Sequence, residues 1–256
     1  MVTDMGQEKT YIVKLSVAPV GWHRHPNGGG LVEDTATVAT TAFVGPGARV
    51  LGSAEVYNCA KVRGRAEVSG TARVFGSAEV SGSAEVSGNA SVYGSARVFE
   101  CAEVCGSAKV FGEAMVYREA AICGKAKVFG SADVHDYAKV YGSAEVYGSA
   151  EVYGSAHVYG SAHVYGKAWV LDRAKVSGDV QVYGSAQAYG AAQVYGAAQV
   201  YGAARVFGDA RVFGDARVYD SARVYDSAQV SGDVWVYGRA RVCGRECVCG
   251  DAEIGE

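Results

Sequence analysis

The chain carries an uninterrupted six-residue pattern of apolar positions. Counting in steps of six from Val32 to Ile254 gives 38 positions, of which 35 are Val, two are Ile and one is Ala. Two residues before these positions, from Ala36 to Ala252, 34 of 37 residues are Ala. Side chains two residues apart in an extended chain point to the same face. Each hexad is therefore predicted to be a short strand with Ala and Val inside and the residue between them outside.

One kind of turn follows every strand. Two residues after the repeat position, 27 of 38 residues are Gly, which supplies the permissive backbone of a sharp bend. Most of the exceptions are turn-compatible, such as Asn58, Asp136, Asp172, Asp220 and Asp226. Hairpins of alternating direction would need two kinds of turn, so a repeated bend favours a coil closed by three hexads. We predict an all-β fold, a single-stranded parallel β-helix (β-solenoid) with a triangular cross-section and coils stacked about 4.8 Å apart.

The two ends of the predicted rod differ. Residues 1–30 lack the repeat, and we expect them to form an N-terminal cap on the first coil, with a strand around Tyr11 to Val17. Residues 31–256 form the predicted solenoid, a rod on the order of 60 Å long. The repeat runs to Ile254, and Glu246 occupies an inward Ala position. We therefore expect the last coil to be scarcely covered, with Glu246 as a crude charged plug.

The units resemble those of a known repeat family. A stretch such as Val146-Tyr147-Gly148-Ser149-Ala150-Glu151 is similar to the hexapeptide repeat of the left-handed β-helix proteins, with an aliphatic residue first and a small residue fifth. The resemblance covers about residues 31 to 254 and implies a left-handed coil. The family includes acyltransferases that use acyl thioesters, zinc carbonic anhydrases, and regular members without an assigned role. The regular members look most like this chain.

Composition and charge narrow the class of protein further. The chain has 35 Gly and 3 Pro in 256 residues, and its 49% hydrophobic content is too high for a disordered protein. Its net charge of -3 gives no basic field for nucleic acid. We expect no membrane partner, because no apolar run approaches the roughly 18 residues of a membrane span. Seven Cys, an odd number, favour a reducing compartment, and we expect the cytoplasm.

The five His residues give weak evidence for catalysis. The acyltransferases of the resembled family interrupt their coils with loops and place a catalytic His in a groove between subunits, and this chain has no interruption. His135, His157 and His163 occupy outward positions, and we interpret them as surface residues. A zinc site of the carbonic anhydrase kind is disfavoured because His157 and His163, one hexad apart, lie on different faces. His23 and His25 could share a metal, but we favour a turn that leads into the first coil. We predict no cofactor and no metal site.

The cysteines allow two interpretations. Cys105 and Cys123 are 18 residues apart in the same position, which stacks them on neighbouring coils with sulfurs close enough to bond. We favour a simpler interpretation, in which small residues fill this position as Ser69, Ser87 and Ser177 do. Cys243, Cys247 and Cys249 crowd the last coil and could bind zinc or link subunits, but their spacing matches no strong metal motif.

An aromatic column is the most informative surface feature. The residue after the repeat Val is aromatic on one face at eleven successive coils, namely Tyr57, Phe75, Tyr93, Phe111, Phe129, Tyr147, Tyr165, Tyr183, Tyr201, Tyr219 and Tyr237. We call this set the aromatic ladder. The other two faces lack this continuity, since they admit Ser81, His135, Leu171, Ser177 and Ser231. Stacked rings predict an internal brace, and an exposed strip of this length would also suit docking of a second rod.

A second column is basic. Arg205, Arg223 and Arg241 share one outward position on successive coils, where like charges repel unless something neutralises them. A phosphate or other polyanion would do so. Nearby Asp209, Asp220 and Asp226 offer an internal alternative, which we favour.

These observations favour a non-catalytic structural protein, a self-assembling rod that acts through its aromatic ladder and its ends. The expected partner is a second copy, in an end-to-end filament or a side-by-side dimer. The alternative is an acyl-CoA-dependent acyltransferase of the hexapeptide class with an intersubunit active site. Ice or crystal-surface binding is a minor alternative, because such faces need matched hydroxyl ladders and these faces present Glu, Arg, Gln, His and Tyr.

Overall fold

A computed structural model of the chain describes residues 18–255 and confirms the predicted β-solenoid. Strand β1 spans Trp22–Arg24 and strand β2 spans Leu31–Glu33. Each later strand, from β3 (Thr37–Val38) to β39 (Glu253–Ile254), consists of one repeat-position residue and the residue before it. The six-residue spacing thus gives one strand per hexad, with the turn between strands at each glycine-rich position.

Every third strand belongs to the same sheet, so the chain closes one coil in 18 residues. The first sheet runs from β2 to β38 (Cys247–Val248), with β1 added at its edge. The second sheet runs from β3 to β39, and the third from β4 (Phe43–Val44) to β37 (Arg241–Val242). Neighbouring strands from β2 onward are parallel, and each residue pairs with the one 18 positions later, as Val80 does with Val98. Residues at the same position on successive coils therefore lie in a straight column.

The core is built from the two inward positions of each hexad. At these inward positions the side chains from Ala42 to Val236 are fully buried, and Ala150 has no exposed surface. The residue between them is exposed or half-buried at nearly every strand. The strand register predicted from the sequence is therefore correct. On the last coil the same positions lose their cover, because Val248, Ala252 and Ile254 are only partly buried.

The corners explain the glycine content. Each corner position from Gly52 to Gly250 has a positive φ angle, and seven of them hold another residue, namely Asn58, Glu100, Arg118, Asp136, Asp172, Asp220 and Asp226. A Cβ atom on Gly148, whose φ angle is 74°, would also lie 3.0 Å from the backbone N of Gly166 on the next coil. Glycine is thus favoured twice, by the left-handed backbone and by the tight stacking of corners.

Aspartate at a corner forms a hydrogen bond that glycine lacks. The N–H of Gly190 donates to Oδ2 of Asp172 at 3.0 Å, and the N–H of Gly154 donates to Oδ2 of Asp136 at 3.1 Å. Asp220 and Asp226 accept the same bond from the corner glycines 18 residues later, at 3.2 Å each. The carboxylate therefore offsets part of the cost of its positive φ angle by binding a backbone donor that the sheets leave unpaired.

The described part of the N-terminal segment lies on the first coil. Strand β1 pairs antiparallel with β2, and the N–H of Gly30 donates to the carbonyl of Val44 in β4 at 2.9 Å. The side chain of Asn27 donates to the carbonyl of Ala42 at 2.9 Å. These bonds cover the starting edges of the first and third sheets. The expected strand around Tyr11 to Val17 lies outside the described residues.

We expect Ala150→Leu to destabilise the rod by about 1–3 kcal/mol, because the inward position touches the same position on the coils above and below and has no room for a larger side chain. Hydrogen exchange should accelerate around this coil, since repeat stacks lose stability locally. Glu151→Leu, in the adjacent outward position, is the control and should change exchange little. Unchanged exchange in Ala150→Leu would contradict the tight core.

Gly148→Ala should cost about 1–2 kcal/mol, because the new Cβ meets both the positive φ angle and the backbone of Gly166. The free energy of unfolding in urea measures this loss. Ser149→Ala changes the exposed neighbouring residue and should stay within about 0.5 kcal/mol of the unmodified protein. Equal stability of the two variants would show that the corner tolerates a side chain freely.

Candidate functional site: the ring stacks and the last coil

The structure confirms the aromatic ladder as a continuous stack. Its eleven rings form ten successive stacked pairs, with centroids 4.8–5.4 Å apart and planes within 15° of each other. All eleven residues follow strands of the second sheet and are half-buried. The parallel register produces this arrangement, because each ring stands directly over the ring of the preceding coil. The ring faces cover one another, and the ring edges face solvent.

Burial disfavours the phenolate form of four ladder tyrosines. It raises the pKa of Tyr93, Tyr147, Tyr165 and Tyr201 above the ordinary tyrosine value. A raised tyrosine pKa means that folding disfavours the phenolate, so this stability is present below pH 10 and is lost as the pH rises above it. These four phenols are uncharged at neutral pH.

The other two faces carry shorter ring stacks than the ladder but are less interrupted than the sequence suggests. On the third sheet His135 stacks between Tyr117 and Tyr153, with centroid distances of 4.8 and 5.0 Å. His135 therefore continues a stack that begins at Phe99, and its listing among the interrupting residues was wrong. Because the imidazole ring is planar and aromatic, its stacking between two tyrosines could have been predicted from the sequence.

The outward histidines do not converge on a common site. His157 lies on the first sheet between Lys139 and Lys175, and His163 lies on the second sheet between Glu145 and Gln181. Burial, followed by the charges of the two lysines, lowers the pKa of His157. Nδ1 of His163 lies 3.7 Å from Oε2 of Glu145, a carboxylate that also accepts from Nζ of Lys127. The prediction that His157 and His163 occupy different faces is confirmed.

The pair His23 and His25 belongs to the segment that leads into the first coil. His23 lies in β1, and its Nδ1 is 2.9 Å from Oδ1 of Asp34. His25 is buried, and its Nδ1 accepts from the N–H of Asn27 at 3.3 Å in the turn that follows. The two rings thus have separate partners, as the turn interpretation predicts.

The basic column is present, but its predicted internal neutralisation is not. Arg205, Arg223 and Arg241 are exposed and lie in register on neighbouring strands of the third sheet. Within residues 18–255 these arginines form no ion pair, and the Asp220 and Asp226 carboxylates accept from corner glycines instead. The expectation that Asp209, Asp220 and Asp226 neutralise the column was therefore wrong. Contact with an anion stays a prediction.

A charged cluster lies on the third sheet and at the corner that follows it. The Arg118 guanidinium pairs with the Asp136 carboxylate across neighbouring corners. Although burial opposes it, hydrogen bonds from Arg118 and the Gly154 N–H, together with the nearby His135 imidazole, hold the pKa of Asp136 below its usual value. Burial raises the pKa of nearby Asp133, whose Oδ1 has no hydrogen-bond partner among the described residues. The 18-residue spacing identifies the corner pair, whereas the burial of Asp133 depends on its side-chain conformation.

The cysteines fall into one bonded pair and five free thiols. Cys105 and Cys123 form a disulfide between neighbouring coils, with Cα atoms 4.7 Å apart. The interpretation of Cys105 and Cys123 as unbonded small residues is thus wrong. Cys243, Cys247 and Cys249 are free thiols and join no group of three metal-ligating side chains within the described residues.

The last coil presents open sheet edges. Strands β37, β38 and β39 each pair with one neighbour only, so their other side carries unpaired backbone groups. Glu246 is exposed, and its Oε2 accepts from the N–H of Cys243 at 3.3 Å. It satisfies one backbone donor and leaves the rest of the edge uncovered by residues 18–255.

Within residues 18–255 there is no helix that could span a membrane.

Comparison with known proteins supports the repeat architecture. Two overlapping stretches, residues 210–226 and 216–232, match the family model described as the YdcK beta solenoid repeat. No curated protein and no solved structure matches the chain significantly. Together with the three parallel sheets, the match shows that the chain is a β-solenoid repeat protein.

Proposed function

We propose that this protein is a non-catalytic structural rod that associates with a second copy through its last coil. The observation that carries the proposal is the contrast between the two ends of the stack. The starting edges of two sheets are covered by β1 and by the segment around Gly30, whereas no part of residues 18–255 covers the final strand of any sheet. The proposal includes a left-handed coil, as in the hexapeptide-repeat proteins that the units resemble. The five free thiols support a cytoplasmic location.

Open edges favour association because they expose both polar and apolar groups. The unpaired N–H and C=O groups of an edge strand bind readily to another strand. Behind them Val248, Ala252 and Ile254 are only partly buried, so a second copy would also remove apolar surface from water. A contact at the last coil would therefore both pair backbone groups and bury apolar surface.

The covered first coil limits how far the rods can assemble. A copy cannot add its first and third sheets to the last coil of another, because those edges already have partners. Two last coils can meet through a twofold axis perpendicular to the rod, which pairs one final strand with its own copy and each of the other two with the copy of the other, all antiparallel. This contact is closed, and it favours a dimer of about twice the rod length over a filament.

The aromatic ladder fits better as a brace than as the docking surface. Large exposed apolar side chains among the described residues are Val20, Tyr137 and Trp169, and no ladder ring is one of them. The ring faces already stack on each other, which leaves little further gain for lateral pairing. Each stacked pair stabilises neighbouring coils by about 0.5–1.5 kcal/mol.

We expect the protein to sediment as a dimer at micromolar concentration in physiological salt with reductant present. Cys247→Pro with Glu253→Pro should give monomers, since both residues point their N–H groups away from the stack and proline removes those donors without breaking a bond within the rod. Cys247→Ser with Glu253→Gln keeps both N–H groups and is the matched control, which should remain dimeric. A monomeric unmodified protein up to high micromolar concentration would overturn the proposal.

Replacing Tyr147, Tyr165, Tyr183 and Tyr201 with Ser should lower the free energy of unfolding by several kcal/mol, because the four rings take part in five stacked pairs. Sedimentation at a temperature where the variant is folded should still show the dimer. Loss of the dimer with unchanged stability would instead identify the ladder as the docking surface.

The acyltransferase alternative makes a different prediction. The coils from Val32 to Ile254 have no inserted loop that would form a groove, and among the described residues no carboxylate forms an ion pair with the His157 imidazole. Calorimetry with acetyl-CoA should therefore show no binding. Saturable micromolar binding, with turnover lost in His157→Ala or His163→Ala, would establish the enzyme instead.

A further inference from the structure

One outward face of the first sheet carries a cluster of metal-ligating side chains. Its central column reads Glu85, Glu103, Ala121, Lys139 on successive strands in register. At Ala121 the column shortens to a methyl group, which leaves a shallow hollow lined by Glu103, Cys123, Lys139 and neighbouring residues. The hollow lies beside the Cys105–Cys123 pair.

Two features of the fold bring three ligand atoms together. Glu103 and Cys105 are two residues apart on one strand, and Cys123 lies directly over Cys105 on the next coil. A carboxylate oxygen of Glu103 and both Sγ atoms lie within 4.8 Å of one another. Among the residues that the structure describes, this is the one group of three His, Cys, Asp or Glu side chains with such spacing.

We propose that Cys105, Cys123 and Glu103, with the disulfide reduced, form a binding site for a soft divalent cation such as Zn²⁺. Zinc takes thiolate sulfur at about 2.3 Å and carboxylate oxygen at about 2.0–2.2 Å, usually with four ligands. Two thiolates and one carboxylate supply three, and the open face of the sheet leaves the fourth position to water. The site therefore resembles an open metal site rather than a closed structural one.

The two cysteines of the site have two mutually exclusive states, a disulfide and a metal-bound pair of thiolates. A thiol reductant supplies the two electrons and two protons that convert the disulfide to two thiols. Metal binding then forms two metal–sulfur bonds and releases both thiol protons to solvent. In the disulfide state the sulfurs bond to each other and provide no thiolate, so the oxidised protein cannot form the site.

Lys139 supports the bound state electrostatically. Lys139 lines the same hollow as Cys123, and a neighbouring cation favours the thiolate over the thiol. Ser69 and Ser87 occupy the position of Cys105 and Cys123 on the two preceding coils of the same face, so the fold accepts Ser there. Variants at these positions should therefore fold.

Cobalt titration tests the site directly. The protein is prepared with Ser at Cys59, Cys101, Cys243, Cys247 and Cys249, so that Cys105 and Cys123 are the remaining thiols, and is reduced anaerobically. Addition of Co²⁺ should give a thiolate-to-cobalt charge-transfer band and the visible bands of a four-coordinate site, saturating at one ion per chain. Addition of Zn²⁺ should abolish these bands. The disulfide-oxidised protein should give neither.

Matched variants distinguish binding by the proposed ligands from non-specific binding to the protein surface. Cys123→Ser should abolish the charge-transfer band, and Glu103→Gln should weaken Co²⁺ binding about tenfold or more. Glu85→Gln alters the neighbouring carboxylate of the same column, one coil away from Glu103, and should leave binding unchanged. Absence of the band in the reduced protein, equal binding by the oxidised form, or equal effects of Glu85→Gln and Glu103→Gln would overturn the proposal.

Discussion

The backbone hydrogen bonds between coils are the interaction on which the rest of the structure depends. They hold each residue directly over the residue 18 positions earlier, at the spacing of neighbouring β-strands. Any side chain is therefore in contact with its own position on two other coils. When the same residue type occupies one position on successive coils, the same contact repeats between every pair of coils. Ring stacks, corner stacks and charge columns therefore all result from the 18-residue register.

The same condition explains why the sequence predicts so much of the fold. Ala and Val at fixed positions specify the inward face, and glycine specifies the corners, because small side chains fit a narrow core and glycine adopts a positive φ angle most readily. Fold class, strand register and the aromatic ladder follow from these local requirements. The β1 pairing over the first coil was not predicted in this form, because Trp22–Arg24 carries no repeat and pairs antiparallel.

The details that sequence reasoning missed depend on side-chain conformation within a column. Asp172 reaches the N–H of a corner glycine, and Asp220 and Asp226 do the same and do not pair with the arginine column. His135 lies flat between two tyrosines although its position suggested an interruption. In each case the 18-residue spacing predicts the neighbouring residues correctly. It does not predict which of the partners within reach a flexible side chain contacts.

The 18-residue register has a consequence for how such a chain can change its length during evolution. Duplication or loss of a whole coil leaves every remaining residue over an equivalent neighbour, so the rod lengthens or shortens in steps of about 4.8 Å without a new contact. Duplication of a single hexad keeps the core intact but moves every later strand to the next sheet. The tyrosines beyond that point would then continue on a different edge of the rod, and a straight aromatic column would become two offset ones. The unbroken column from Tyr57 to Tyr237 has the register that growth in whole coils would preserve.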